Sequence, residues 1–347
     1  MLKSLTLENF RNHKKITVEF KKVTAIIGPN GVGKSNILEA ISLISSCRSF
    51  REEDKRNLVS FDSDYARITS GDLEVFIQKN PSLLFQVKER GVVRKKADFI
   101  GILKSVVFSP ETMQLIDGSP RLRRRFLDIM ISQRDHDYLR HLIAYEKVRQ
   151  ERNSLLHSIR CVGDREDELL YWDQELSKHG EVLTKKRDEA VSFINKIIPQ
   201  FYSEISGKIE DVLNIEYLSN AKNDFLAKLK ENRYREICSN HTAVGPHRDE
   251  LIFKLNKYNM ANYASRGEIR SAVLSLVISE LEYLSAGSEE KPILLLDDVF
   301  SEMDSERRAK LSSLVSTYQT VMTTTDLEHL SPALLKKAKI ITLIQNG

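Results

Sequence analysis

The nine residues from Gly28 to Asn36 carry the groups that phosphate binding requires. They read GPNGVGKSN, which places glycines, a lysine and a serine at the spacing of a P-loop. Glycines let backbone N–H groups turn toward phosphate oxygens, while Lys34 and Ser35 supply an ammonium for the β- and γ-phosphates and a hydroxyl for Mg²⁺. We therefore predict that ATP and Mg²⁺ bind here. The predicted nucleotide contacts are Gly28, Pro29, Asn30, Gly31, Val32, Gly33, Lys34, Ser35 and Asn36.

The chain on either side of this loop has the pattern that such a loop needs. Residues 23–27 form a short apolar run typical of a buried strand, and apolar residues recur at helical spacing from Ile37 to Ile44. A helix that opens at Ser35 directs the positive end of its dipole toward the phosphates. This strand–loop–helix context argues against a chance glycine-rich turn.

A second apolar run, residues 292–296, ends in the carboxylates Asp297 and Asp298. In a P-loop protein this arrangement is typical of the Walker B strand, which delivers one aspartate to the Mg²⁺ ion. We predict that Asp297 shares the metal with Ser35, and that Asp298 is a catalytic residue that positions the attacking water. Lys34 is the other predicted catalytic residue.

Ser265 and Gly267 precede a segment whose apolar residues recur at helical spacing. A serine and a glycine at a helix N-terminus fit the signature of ABC ATPases, which binds the γ-phosphate of a nucleotide held by another subunit. An ordinary serine N-cap gives the same local pattern. The position shortly before the Walker B run favours the signature. Residues 301–304 then resemble a D-loop, and the polar end of the run 321–326 falls where ABC ATPases carry a switch residue.

The order of these patterns predicts an α/β protein with an inserted helical domain. Alternating residues predict strands before the P-loop and an antiparallel meander over 65–93, whereas charged helical periods fill about 119–230. We predict an ABC-type P-loop ATPase head of two lobes with an inserted helical arm. The predicted domains are 1–108 for the N-terminal part of the head, 109–236 for the arm and 237–347 for the C-terminal part of the head.

The first part of the predicted arm is basic. Residues 121–160 hold ten Lys or Arg against five Asp or Glu, a net charge of +5, whereas the whole chain carries +4. A solvated helix face with intrahelical ion pairs explains this run. Contacts with the phosphate backbone of a nucleic acid explain it equally well. The charge pattern leaves both interpretations open.

The composition is that of a globular protein: 29% of the 347 residues are charged and 41% are hydrophobic. Its three cysteines, Cys47, Cys161 and Cys238, are odd in number and outside any CxxC pair, which predicts free thiols in a reducing compartment. No apolar run reaches the ~18 residues of a membrane helix. We expect a cytoplasmic protein without a membrane partner.

Nearly the whole chain resembles the RecF family of bacterial recombination-mediator ATPases, which is related to SMC proteins. Several motifs carry this resemblance together, and their combination is far more specific than the P-loop alone. They are LENFRN at 7–12, the P-loop, RSFR at 48–51, FSP at 108–110, GSP at 118–120, RRFLD at 124–128, Tyr145 with QERN at 150–153, GPHRD at 245–249 and LLLDDVFSEMD at 294–304.

The resemblance implies a weak ATPase that dimerises when ATP binds, with each signature closing on the P-loop of the other copy. Ser265 and Gly267 then act in trans. It also implies a clamp on gapped DNA, with single-stranded and double-stranded parts, that works with RecO and RecR in replication and repair, promotes RecA loading and supports the SOS response. Arg11, in the loop between the first two strands, is a further predicted contact of the nucleotide.

The signature departs from the family pattern. Glu268 stands where the family usually has Gln, and Ile269 stands at a second Gln, while Arg270 is retained. The contacts that the first Gln makes across a dimer are therefore open for this chain.

Three rival classes fit less well. An ABC transporter subunit has about half as many residues between P-loop and signature, and usually a switch histidine. A P-loop kinase lacks the signature and the D-loop. A scaffold with a decayed nucleotide site is opposed by intact Lys34, Asp297 and Asp298.

Overall fold

The computed structural model describes residues 1–163, 166–222, 224–300 and 305–344. The chain divides into two compact units. The first contains Met1–Gln114, Gln200–Glu210 and Ser265–Gly347, and the second contains Leu115–Pro199 and Asp211–Ala264.

The strands are β1 (Ser4–Phe10), β2 (His13–Glu19), β3 (Val23–Ile27), β4 (Tyr65–Ser70), β5 (Leu73–Gln78), β6 (Leu84–Glu89), β7 (Val92–Arg94), β8 (Ser105–Phe108), β9 (Leu213–Leu218), β10 (Glu250–Leu255), β11 (Tyr258–Asn259), β12 (Ile293–Asp297), β13 (Thr320–Thr324) and β14 (Lys339–Thr342).

The helices are α1 (Lys34–Ser46), α2 (Lys96–Phe99), α3 (Gln114–Asp117), α4 (Pro120–Ser132), α5 (His136–Val162), α6 (Leu169–Ser206), α7 (Phe225–Ser239), α8 (Met260–Tyr263), α9 (Arg266–Ser285), α10 (Ser305–Thr317) and α11 (Pro332–Lys337). None of the helices that the structure describes is long and apolar enough to span a membrane.

A five-stranded parallel sheet in the first unit positions the predicted nucleotide residues. Its strand order is β14-β3-β13-β12-β8. All residues of β12 and β13 are buried, as expected for strands covered on both faces. The predicted strands before the P-loop and before Asp298 are confirmed as β3 and β12. Because β3, β13 and β12 run parallel, the P-loop and Asp297 lie at the same end of the sheet, where these strands have their carboxyl ends.

The meander predicted over 65–93 is confirmed as β4 to β7, joined to β1 and β2 in a six-stranded antiparallel sheet of order β2-β1-β4-β5-β6-β7. Its buried residues alternate along the strands; in β4 they are Ala66 and Ile68, and in β5 they are Val75 and Ile77. The sheet therefore keeps one face on the core.

The second unit combines the helices α4, α5, α7 and α8, most of α6, and a three-stranded sheet of order β11-β10-β9. Its limits differ from the predicted arm of 109–236, because β9 pairs with β10 and brings residues up to Ala264 into the same unit. The strand β9 interrupts the region predicted as helical. Only Leu213 and Ile215 are buried in β9, which is too short an alternation to stand out in a charged sequence.

Candidate nucleotide-binding site

Two glycines of the loop between β3 and α1 adopt left-handed backbone conformations. Gly31 has φ 83° and Gly33 has φ 101°, which side-chain-bearing residues rarely adopt. A Cβ atom on Gly33 would also lie 2.5 Å from Asn12 Oδ1 and from His13 Nε2. Within the described chain no side chain caps the N-terminus of α1, which begins at Lys34. The loop thus presents a helix N-terminus suited to an anion.

The turn between β1 and β2 supports this loop. Asn12 Nδ2 donates to Gly31 O at 3.4 Å and its Oδ1 accepts from Asn36 Nδ2 at 2.8 Å. His13 Nε2 bonds Gly33 O at 3.0 Å, and burial lowers the pKa of this imidazole. The sequence predicted no contact of Asn12 or His13 with the P-loop, since only the fold brings this turn to the loop.

Lys34 lies inside the loop. Its ammonium donates to Gly28 O at 2.6 Å and to Pro29 O at 2.9 Å. Burial lowers the pKa of Lys34, while the carboxylates of Asp298 and Asp297 act in the opposite direction. The charge predicted to meet the β- and γ-phosphates is therefore held at the loop by its own carbonyl groups.

Ser35 and Asp297 lie together at the carboxyl end of the parallel sheet, as the two motifs predicted. Ser35 Oγ donates to Asp297 Oδ1 at 2.6 Å, and Thr323 Oγ1 at the end of β13 donates to the same oxygen at 2.7 Å. Asp298, at φ 52°, follows directly, and its N–H donates to Thr323 Oγ1 at 3.0 Å. A hydroxyl and a carboxylate are hard oxygen ligands, so this donor set fits Mg²⁺. The sequence did not single out Thr323.

Arg11 lies beside the P-loop but its guanidinium already has acceptors. Nε and Nη2 donate to the two carboxylate oxygens of the fully buried Glu39 at 2.9 and 2.8 Å, and Nη1 donates to Asn57 O at 3.0 Å. Ser49, within the RSFR motif, also donates to Glu39. In this arrangement Arg11 joins β1 to α1, and its predicted contact with nucleotide stays a prediction.

The predicted signature residues lie at the start of α9. Ser265 is the N-cap and forms a capping box with Glu268: its N–H and Oγ donate to Glu268 Oε2 at 2.9 and 3.0 Å. Lys208 Nζ donates to Glu268 Oε1 at 2.9 Å. This bond and those from Ser265 lower the pKa of Glu268 to about 2. Gly267 accepts a bond from Arg307 Nη2 through its carbonyl at 3.1 Å.

The predicted D-loop residues follow β12 in the chain, and the predicted switch residues begin at the end of β13. The D-loop residues 301–304 lie outside the described residues. Thr324, Thr325 and Asp326 are the residues predicted for the switch position, and Thr324 Oγ1 donates to Asp326 O at 2.9 Å, which closes the local turn after β13.

Several basic residues of the second unit are structural. Arg123 pairs with Glu250 at 2.8 Å, and Arg124 donates to Asp249 O at 2.7 Å. Arg152 is fully buried, and it donates to Asp173, Glu236 and Thr242 at 2.8, 2.6 and 3.0 Å. Arg187 is also buried, and it bonds Asp128, Asp249, Tyr138 and the carbonyl of Pro246. Part of the basic sequence is therefore committed to the fold of this unit.

Comparisons with known proteins agree with this geometry. The family model of the RecF/RecN/SMC N terminal domain matches residues 1–345. The DNA replication and repair protein RecF of Lachnoclostridium phytofermentans is 36% identical over 360 residues, which cover 99% of this chain and 98% of that protein. The chain belongs to the RecF family. RecF of Streptococcus suis is 37% identical over 349 residues, covering 95% of this chain and 94% of that protein.

Solved structures support the same assignment. A structure of the recombination mediator protein RecF with ATP, from the RecFOR pathway, is 33% identical, superposes with a TM-score of 0.88, and covers 95% of this chain and 93% of its own. An Smc head bound to the C-winged helix domain of ScpA shares the fold at 16% identity and a TM-score of 0.53, with 98% of this chain and 93% of that one covered. This RecF-family chain therefore has the ABC-type ATPase head fold that the sequence predicted.

Proposed function

We propose that this RecF-family chain is an ATP-dependent, dimerising DNA clamp that acts in DNA replication and repair. The observation that carries the proposal is the convergence of Lys34, Ser35 and Asp297 at the carboxyl end of the parallel sheet. RecF relatives, among them a RecF–ATP structure of the RecFOR pathway, support it at 33% identity or more.

The chemistry assigned to the site is weak ATP hydrolysis. Lys34 and the backbone N–H groups of 30–35 hold the triphosphate, and Ser35 and Asp297 hold Mg²⁺, which offsets charge on the transferred phosphoryl group. Thr323 fixes the orientation of Asp297 through its hydroxyl. Asp298 positions the attacking water.

Dimerisation depends on the start of α9. We propose that Ser265 and Gly267 contact the γ-phosphate of ATP held by a second copy, because the N-terminus of a 20-residue helix favours an anion. For this contact Ser265 must release its hydroxyl from Glu268. Lys208 donates to the other oxygen of the Glu268 carboxylate, so this carboxylate keeps a partner when the Ser265 hydroxyl turns to the phosphate.

The partners follow from the family. We propose that the closed dimer holds gapped DNA with single-stranded and double-stranded parts, works with RecO and RecR, promotes RecA loading and supports the SOS response. The net charge of +5 over residues 121–160 supports an anionic partner, although Arg123 and Arg124 are occupied internally. The free thiols Cys47, Cys161 and Cys238 support a cytoplasmic location.

The decisive experiment is fluorescence anisotropy of a labelled gapped duplex, titrated with protein at one fixed salt concentration with ATP and with ADP. We expect tighter binding with ATP. Lys34→Ala should remove this difference because it takes away the ammonium that holds the phosphates, and Lys22→Ala, an exposed lysine before β3, is the matched control. Equal binding with both nucleotides would overturn the ATP-gated clamp, and full ATP turnover by Lys34→Ala would overturn the site.

A further inference from the structure

Two lysines of the first unit lie against one aromatic ring, and an arginine lies near one of them. Lys55 Nζ lies 3.2 Å from the centroid of the Phe85 ring, and Lys96 Nζ lies 4.9 Å from the same centroid. Arg48, from the RSFR motif, lies near enough to act electrostatically on Lys55. We call Arg48, Lys55, Lys96 and Phe85 the Phe85 cluster.

The charges of this cluster are not neutralised within the protein. In the part of the chain that the structure describes, none of the three cations takes part in an ion pair. Burial, followed by the charges of Lys96 and Arg48, lowers the pKa of Lys55 to about 8. The same three cations all act on the buried thiol of Cys47, although burial still raises its pKa to about 12. Like charges are thus held together at an energetic cost that an anion would offset.

The elements that carry the cluster hold it in place. Arg48 follows the C-terminus of α1, Phe85 lies in β6, and Lys96 is the first residue of α2. Lys55 is half-buried, whereas Arg48 and Lys96 are exposed. Both ammoniums lie against the ring through cation–π contacts, and the exposed Arg48 and Lys96 can direct N–H donors toward an anion in solvent.

We propose that the Phe85 cluster binds a backbone phosphate of DNA. This inference rests on the proposed DNA clamp and adds a contact that the P-loop, the signature and the basic run 121–160 do not supply. A phosphate suits the cluster because it offers several oxygens to donors that approach from different sides. Backbone phosphates also repeat along every sequence, so such a contact adds affinity without base specificity.

The test measures the salt dependence of binding to a gapped duplex in the presence of ATP. Lys55→Gln and Lys96→Gln should each weaken binding about eightfold at 0.1 M salt and lower the slope of log K against log salt by about 0.9, the value for one lost phosphate contact. The matched control is Lys15→Gln, an exposed lysine on β2 at the opposite edge of the same sheet. Affinity for a fluorescent ATP analogue and the thermal midpoint should stay as in the unmodified chain.

The possible outcomes separate this inference from the proposed function. If the unmodified chain binds gapped DNA and both glutamine variants keep its slope, the Phe85 cluster is not a phosphate site and the clamp stands. If the variants lose ATP affinity instead, the cations serve the nucleotide and the inference falls. If the unmodified chain binds no DNA with ATP, the clamp and the cluster fall together.

Discussion

Ser35 Oγ and Asp297 Oδ1 lie 2.6 Å apart, although 262 positions separate the two residues in the chain. Their hydrogen bond joins the first turn of α1 to the end of β12, and Thr323 shares the same carboxylate oxygen from β13. Three elements therefore fix one carboxylate. A ligand that is held from several sides keeps its geometry when a metal binds, which is the usual role of residues behind a metal ligand.

Replacing Thr323 by Val tests this support. The variant keeps the shape of the buried side chain but removes the hydroxyl that donates to Asp297, so we expect ATP hydrolysis to fall about 10- to 100-fold at limiting Mg²⁺. ATP hydrolysis as a function of Mg²⁺ concentration measures it. Thr17→Val, at an exposed position on β2, is the control. An unchanged Mg²⁺ dependence in Thr323→Val would show that Ser35 orients Asp297 without help.

Replacing Glu268 by Gln should strengthen ATP-dependent dimerisation. The amide can keep the capping box, but it removes a negative charge from the place where the signature is proposed to meet a γ-phosphate. We expect at least about fivefold tighter self-association, which corresponds to roughly 1 kcal/mol at a helix N-terminus. Sedimentation velocity with ATP and with ADP measures it.

Lys208→Gln should have the opposite effect on dimerisation, because it removes the cation that pairs with Glu268. Self-association with ATP should then weaken. If neither variant changes the dimer, the start of α9 does not meet the nucleotide of a second copy.

Replacing Arg152 by Ala should destabilise the second unit strongly. Arg152 is fully buried, and its loss removes the cation that pairs with both Asp173 and Glu236. Among the described residues, Asp173 then keeps only the partly exposed Arg233 as a cationic partner. We expect the free energy of unfolding to fall by about 3–5 kcal/mol. Arg140→Ala, which removes an exposed pair with Asp137 on the same helix, should cost less than about 0.5 kcal/mol. Urea denaturation of both variants measures the two losses in the free energy of unfolding. Equal losses would contradict a buried network around Arg152.

The free energy of unfolding should also depend on His247. Burial lowers the pKa of this imidazole to about 3, against 6.5 for the unfolded chain, and the ring bonds Tyr145 OH at 2.7 Å and Thr242 O at 3.0 Å. Between pH 3 and 6.5 the unfolded state holds the extra proton. Stability from this group is therefore present above pH 6.5 and is lost as the pH falls, by up to about 1.4 kcal/mol per pH unit.

Denaturation at several pH values measures this contribution as the difference between the unmodified chain and His247→Asn. The variant should show a flatter loss of stability between pH 7 and 5. His241→Asn, at an exposed position, should follow the unmodified chain. Parallel curves for the unmodified chain and His247→Asn would mean that His247 is protonated equally in the folded and unfolded states.

The sequence predicted the parts of the nucleotide site that are local in the chain. The patterns of a strand, a glycine-rich loop and a helix follow one another in the sequence around Lys34. The apolar run before Asp297 can likewise be recognised without knowing which strands pair with it. Thr323 and His13 were missed for the opposite reason. Each is an ordinary polar residue until the sheet and the first hairpin place it against Asp297 or Gly33.

The second unit shows the same division. Its long helices follow from periodicity, but the basic residues of α5 could not be sorted from sequence into solvated and buried ones. Arg140 is exposed on α5, whereas Arg152 lies wholly inside a network with Asp173 and Glu236. Burial depends on where α6 and α7 pack, and charge patterns carry no information about that. The sequence did not indicate β9 for a similar reason, since its pairing partner β10 lies 32 positions or more away in the chain.

The neighbours of β3 have a consequence for the nascent chain. β3 carries the P-loop, yet the two strands that pair with it are β13 and β14, and the ribosome reaches Thr320 of β13 only 297 positions after its partner Val23 of β3. Until then the P-loop strand has neither sheet neighbour and Asp297 has no Thr323. A copy that stops before β13 therefore cannot complete the proposed nucleotide site, and we expect ATP to load only after β13 and β14 have been translated.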